Sequence, residues 1–179
     1  MEQREAEATG VEEAKGSEGA GQYLTFRVLN NRYAIDILDV KEIIEVTSMT
    51  RVPKAHASVH GVMNLRGNVA PVVDLAHRLR GQTLRFGRRS VILVVEFEWD
   101  GERQTIGMLA DEVSEIVEIN DDHIQSAPEF GAGIRREYID RMARVDDAFI
   151  VLLNLARVLD IDELSLNQEA KTELEEAGV

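Results

Sequence analysis

The sequence predicts a mainly β protein built from two similar small barrels. Three observations carry that prediction: short alternating apolar runs, turn residues between them, and an internal repeat. Leu24, Phe26 and Val28 alternate with Thr25 and Arg27, Asn30-Asn31 interrupts, and Tyr33, Ile35 and Ile37 then alternate with Ala34 and Asp36. That is the pattern of a hairpin. Further strand-like runs lie at 62–65, 69–73, 90–97, 103–109, 139–145 and 148–153, separated by Gly, Pro, Asn or Asp. Segments 38–46 and 111–119 also suit one face of a helix, but their short length and β-branched content favour strands.

The repeat appears when the sequence is slid against itself. Residues 33–46 match 106–119 without gaps, so that Val40, Glu42, Ile43 and Glu45 meet Val113, Glu115, Ile116 and Glu118. Residues 66–79 match 146–159, with Leu75, Ala76 and Leu79 meeting Leu155, Ala156 and Leu159. The matches fall in the same order in both halves, and the unit is too long for a solenoid repeat. The expected organisation is one barrel over 22–80, a linker at 81–87 and a second barrel over 88–160. Each barrel is marginal alone, so the two are expected to share a core at their junction. Asp74 and Asn154 stand where an apolar strand gives way to Leu at one and five residues on. There an Asx side chain caps a short helix after each barrel.

Composition and charge narrow the function. A chain of 179 residues that is 44% hydrophobic has enough material for a real core. Its longest apolar runs, VILVV at 91–95 and AFIVLL at 148–153, are far short of the roughly 20 residues that span a bilayer. The first twenty residues hold six glutamates and two basic residues with no apolar run, unlike a secretory or transit peptide. Together with the absence of cysteine, this gives a cytoplasmic expectation with no direct membrane insertion. Of the formal charge of −13, residues 1–20 carry −4 and residues 160–179 carry −6, which leaves −3 for residues 21–159. The acidity belongs to the ends: a disordered tail over 1–21, and an acidic segment over 161–179 expected to form a helix from about Asp162. Such charge opposes nucleic-acid binding, and the arginines at 78, 80, 85, 88 and 89, with no interleaved aromatic pattern, read as a solvated connector.

No catalytic constellation emerges. His56 and His60 have helical ligand spacing but no accompanying third ligand, and His77 and His123 stand apart, so no metal site or cofactor is expected. The glycines at 131 and 133 lack the phosphate-loop context, and Ser58 and Ser90 lack a nucleophile elbow. Asp74 and Asn154 fail as paired carboxylates, because one of them is an amide. Function by surface contact is left. In GVMNLRGNVAPVVDL at 61–75, Arg66-Gly67 interrupts two apolar runs, as Asp146-Asp147 does in the repeat, and both are read as hairpin turns. A turn carries the guanidinium clear of the core, either as an ordinary exposed arginine or as a fork for a partner's carboxylate or carbonyl.

YLTFRV, YAIDILDVKEI, VHGVMNLRGNVAPVVDL, IGMLADEVSEI and IQSAPEF resemble, in order and spacing, the CheW family of bacterial chemotaxis coupling proteins over nearly all of 22–160. The resemblance implies two five-stranded SH3-like barrels and a non-enzymatic adaptor. Its partners would be the cytoplasmic helical hairpin of a chemoreceptor, the CheW-like regulatory domain of the histidine kinase CheA, and other copies in array rings beneath the inner membrane. It places Ile37, Val40, Glu42, Gly61 and Arg66 around a receptor-binding face, drawn as an apolar groove rimmed by Arg66 and Glu42. Ile37 and Val40 are read equally well as core. Glu129 and Phe130, in the loop matching the family's APEF segment, are the expected kinase or ring contacts, and Gly107 is assigned to packing of the second barrel or its kinase-facing surface. Two departures stand out: Arg141, near which the family usually has glycines, and Asn154 in place of its usual Asp.

Overall fold

The computed structural model describes residues 20–127 and 133–166. The strands are β1 (Ala20–Val28), β2 (Asn31–Asp36), β3 (Val40–Glu45), β4 (Val59–Leu65), β5 (Asn68–Asp74), β6 (Val91–Trp99), β7 (Glu102–Ala110), β8 (Glu112–Asn120), β9 (Ile124–Gln125), β10 (Ile139–Val145) and β11 (Ala148–Leu153). Two short helices, α1 (Leu75–Arg80) and α2 (Leu155–Val158), follow β5 and β11. Four hairpins close through two-residue turns in which both residues have positive φ: Leu29-Asn30, Arg66-Gly67, Asp100-Gly101 and Asp146-Asp147. Such turns match the twist of the strands they join. The first turn falls one residue earlier than the Asn30-Asn31 pair suggested.

The strands form two sheets, ordered β9-β10-β11-β2-β1-β8 and β3-β6-β7-β5-β4. They are the two expected SH3-like barrels, the first with the two-residue β9 as a sixth strand. The repeat seen in the sequence is visible in their pairing. Leu152 pairs with Ala34 in parallel, and the equivalent Val72 pairs with Gly107. Val40 pairs with Val95, then a bulge at Lys41; the equivalent Val113 pairs with Phe26 beside a bulge at Ser114. His60 and Asp140 bulge at a second pair of equivalent positions.

The division at 81–87 does not follow this pairing and is corrected. β1 and β2 join the sheet of the C-terminal strands, whereas β6 and β7 join the sheet of β3–β5. The cause is the parallel contacts β2–β11 and β5–β7, by which the leading hairpin of each repeat completes the barrel of the other. A core cluster shared by both barrels results, in which Leu24, Phe26 and Tyr33 pack with Val72, Ile92, Ile106 and Met108, while Tyr23, Ala34, Ile119, Ala143, Ile150 and Leu152 form a second, smaller cluster. Gly107 permits the close approach, since a Cβ there would stand 2.8 Å from Ile92 Cγ2.

Both Asx residues cap as expected. Asp74 Oδ1 accepts the backbone N–H of Ala76 and His77, and Asn154 Oδ1 accepts that of Arg157. Two other expectations are corrected. Arg78 is not a solvated connector: it is only 9% exposed, donates from Nε to the Val158 carbonyl at 2.6 Å, bonds Glu163 through Nη2, and lies 5.1 Å from the centre of the Tyr138 ring. Residues 161–166 form a turn, not the start of a helix, because Ile161, Leu164 and Leu166 are all buried against the core and Ser165 turns left-handed. Residues 1–19 and 167–179, which hold the rest of the acidic tail and helix expectations, lie outside the described residues. No helix among the described residues is long and apolar enough to cross a membrane.

Candidate partner-docking face

Arg66 sits on the left-handed turn between β4 and β5, φ +54°. β3 and β4 are opposite edges of the five-stranded sheet, so curvature brings this turn to β3. There Arg66 Nη2 donates to Glu42 Oε1 at 3.1 Å, and Nη1 lies 3.0 Å from Oε2. The guanidinium side chain remains 69% exposed while Glu42 is 21% exposed. Arg66 is thus neither free nor sealed in: a carboxylate from the opposite edge holds it in place, and its other N–H donors stay available. The bulge at Lys41 sets the orientation in which Glu42 leans toward the turn.

Ile37 and Val40 pack on the shared core and are half-buried, so part of each side chain stays exposed. The sequence reading missed their neighbours Leu38, 85% exposed, and Ile43, 44% exposed, which supply open apolar surface on the same stretch. The signal was present, since two large apolar residues stand there out of phase with the buried set. The expected apolar groove is corrected in kind. The depression beside Arg66, about 290 Å³, mixes Leu65, Val69 and Ala70 with the cations Lys41 and Arg103. Lys41 Nζ and Arg103 Nη2 each donate to Glu96 at 2.9 Å, and the Arg103 bond above all, then the Lys41 bond, hold the Glu96 carboxyl down at about 2.

A carboxyl held below its unfolded value contributes stability above the unfolded pKa, and that contribution is lost as pH falls through the folded one. Carbon-detected NMR titration is therefore expected to show Glu96 ionised until far below the usual glutamate midpoint. The Arg103→Gln variant should move the midpoint up, and an unmoved midpoint would remove Arg103 as the cause.

Gly61 does not stand with Arg66 at the surface. It is buried at the other end of β4, where a Cβ would meet the Thr50 carbonyl oxygen at 2.6 Å, and Val62 exchanges backbone hydrogen bonds with Thr50 at 2.9 and 2.8 Å. Its part is to let the 46–58 connection cross the strand. Gly61→Ala is expected to cost about 1–3 kcal/mol by overpacking, read as a lowered melting temperature. The equivalent position carries Arg141, whose Nη2 reaches Tyr23 Oη at 3.4 Å and whose Nε reaches Asp140 at 3.2 Å. Glu129 and Phe130 lie outside the described residues.

Nothing nearby assembles for catalysis. Ser58 Oγ lies 2.9 Å from His77 Nδ1, but Ser58 is buried and Asp74 spends its oxygens on the backbone N–H groups of Ala76, His77 and Leu84. Among the described residues no carboxylate orients that imidazole. His56 Nδ1 accepts from Ser58 N, and His60 stacks on Phe86 with ring centres 5.3 Å apart. Among the described residues no group of three or more ligating side chains forms a metal site.

Residues 22–163 match the model of the family described as CheW-like domain. The chain belongs to the CheW-like family. It is 29% identical over 156 residues to the chemotaxis protein CheW of Klebsiella aerogenes, covering 87% of this chain and 92% of that protein. It is 32% identical over 139 residues to the probable chemotaxis protein CheW of Rhizobium etli, covering 78% and 87%. Its fold matches the crystal structure of the scaffolding protein TtCheW from Thermoanaerobacter tengcongensis with a TM-score of 0.70 at 28% identity, covering 77% and 86%. CheW-like proteins are non-enzymatic chemotaxis scaffolds.

Proposed function

We propose that this chain is a cytoplasmic adaptor that couples the helical hairpin at a chemoreceptor's tip to the CheW-like regulatory domain of CheA, within arrays beneath the inner membrane. The observation that carries the reading is the Arg66–Glu42 pair, held across two sheet edges, with Leu38 and Ile43 exposed on the same stretch of chain as Glu42. A helix presenting apolar anchors at helical spacing, with a carboxylate or carbonyl for the open donors of Arg66, is the complementary shape. A core cluster shared by both barrels suits regulation by geometry, with two partners held at fixed relative positions.

Co-purification from native cells tests it. The expected result is a receptor and a histidine kinase retained together; recovery of neither defeats the proposal. The identity of the kinase also separates a swimming pathway from another chemosensory one.

A further inference from the structure

The connector between α1 and β6 is anchored at both ends and charged in the middle. Leu84 is buried and its N–H donates to Asp74 Oδ2 at 3.0 Å, while Ser90 is buried and its Oγ accepts from Gly87 N at 2.8 Å. Between them Arg85, Phe86, Gly87, Arg88 and Arg89 are all exposed. With Arg27 from β1, these arginines line a cleft of about 530 Å³ that also contains Asp111 and Glu112. Glu112 is shared by Arg27 at 3.3 Å and Arg89 at 3.2 Å, and Asp111 accepts the Leu29 N–H. Arg85 and Arg88 have no ion pair or hydrogen bond among the described residues. A fixed patch of uncompensated positive charge therefore stands, next to a phenylalanine that is 48% exposed, on a chain whose formal charge is −13.

We propose that the acidic segment 1–19 of this same chain lies over that arginine cleft. Charge complementarity is the first argument, since the segment holds six glutamates against Arg4 and Lys15. Reach is the second. The segment leaves from Ala20 on β1, the strand whose other end carries Arg27 into the cleft. The span from Ala20 to Arg27 is roughly 25 Å at ~3.4 Å per residue, and the stretch from Ala20 back to Glu12-Glu13 has the same extended length. The other acidic segment, 167–179, departs from a less favourable place: it follows the turn whose Asp162 lies with Glu98, Trp99 and Asp100 at the end of β6 remote from the connector. The charge of the whole chain disfavours nucleic acid or anionic lipid as occupant. The contact is electrostatic and weakened by salt, on a face distinct from the Arg66 turn.

The full chain has no cysteine, so Ala14→Cys gives a single attachment point for a nitroxide. The amide signals of residues 85–89 and 29–30 are expected to lose at least about threefold in intensity in ~20 mM salt and to recover in ~0.5 M salt, where screening acts within a few ångströms. Arg85→Glu with Arg88→Glu should abolish the loss, and adding Glu12→Arg with Glu13→Arg should restore it. Arg85→Gln with Arg88→Gln is the milder arm should the reversal disturb the fold. Absence of broadening at low salt, broadening spread evenly over other faces, or no rescue by the swapped charges would overturn the proposal. So would broadening from a nitroxide at Glu173→Cys instead, which would assign the cleft to segment 167–179. Broadening in a mixture of labelled and isotopic chains would assign it to a second copy and likewise overturn it.

Discussion

Replacing Arg66 with glutamate is expected to weaken binding of the receptor hairpin by at least about 30-fold while shifting the melting temperature by no more than a few degrees. The two halves of that result have separate causes. Within the chain, an exposed pair such as Arg66–Glu42 is worth about 0.2–1 kcal/mol, and for a protein of this size 1 kcal/mol corresponds to roughly 2–4 °C. Against a partner the same guanidinium is desolvated, and stripping one side of a buried hydrogen-bonded charge pair costs about 2–5 kcal/mol. Calorimetric titration with a receptor hairpin, alongside thermal melting, measures both. The double variant Arg66→Glu with Glu42→Arg restores the internal pair with reversed polarity. If it recovers affinity, the pair matters only for holding the turn, and direct recognition by Arg66 is ruled out.

Arg78→Met is expected to be the most destabilising substitution named for this protein, at about 2–4 kcal/mol, or a melting temperature lower by roughly 4–16 °C. Arg78 ties α1, in the first repeat, to the Val158 and Arg157 carbonyls and to Glu163 beyond α2. Methionine fills part of the volume but leaves the buried Val158 carbonyl without its donor. The acid side of the stability curve offers a second reading. The hydrogen bond from Arg78 is the main cause that lowers the Glu163 carboxyl below its usual range, with Arg135 adding to it. Its contribution is present above the unfolded glutamate pKa and fades as pH falls through the folded one, so the variant should lose less stability on acidification than the parent chain. An unchanged melting temperature would mean that the 160–166 turn is held by Ile161, Leu164 and Leu166 alone.

Much of this fold was legible in the sequence because period-two alternation and turn residues are local signals. Three of the four hairpins, the Asx caps and the repeat all come from patterns within a few residues or from gapless self-matching. The partition of the sheets was not legible: nothing local records that the β1–β2 hairpin crosses to the strands of the second repeat, since that is decided by the parallel β2–β11 contact. Arg78 was misread because it stands in a run of arginines, and only tertiary packing separates it from exposed Arg88. At the proposed docking face, the exposed turn position of Arg66 was legible from its interruption of an apolar ladder. Its tether was not, because Glu42 is 24 positions away and lies on the opposite sheet edge. Gly61 meets a close backbone approach, and the approaching atom, the Thr50 carbonyl oxygen, belongs to its own chain.

The crossing of the two repeats has a consequence for synthesis. As the polypeptide leaves the ribosome, Tyr33 emerges early, but its neighbour Val151 follows only near the end. Until then β2 has an uncovered edge, and a nascent chain halted within 81–87 holds fragments of both barrels and completes neither. Such long-range pairing slows maturation and leaves sticky edges open to other chains, so translation pauses before residue 153 are where this protein is most exposed to aggregation.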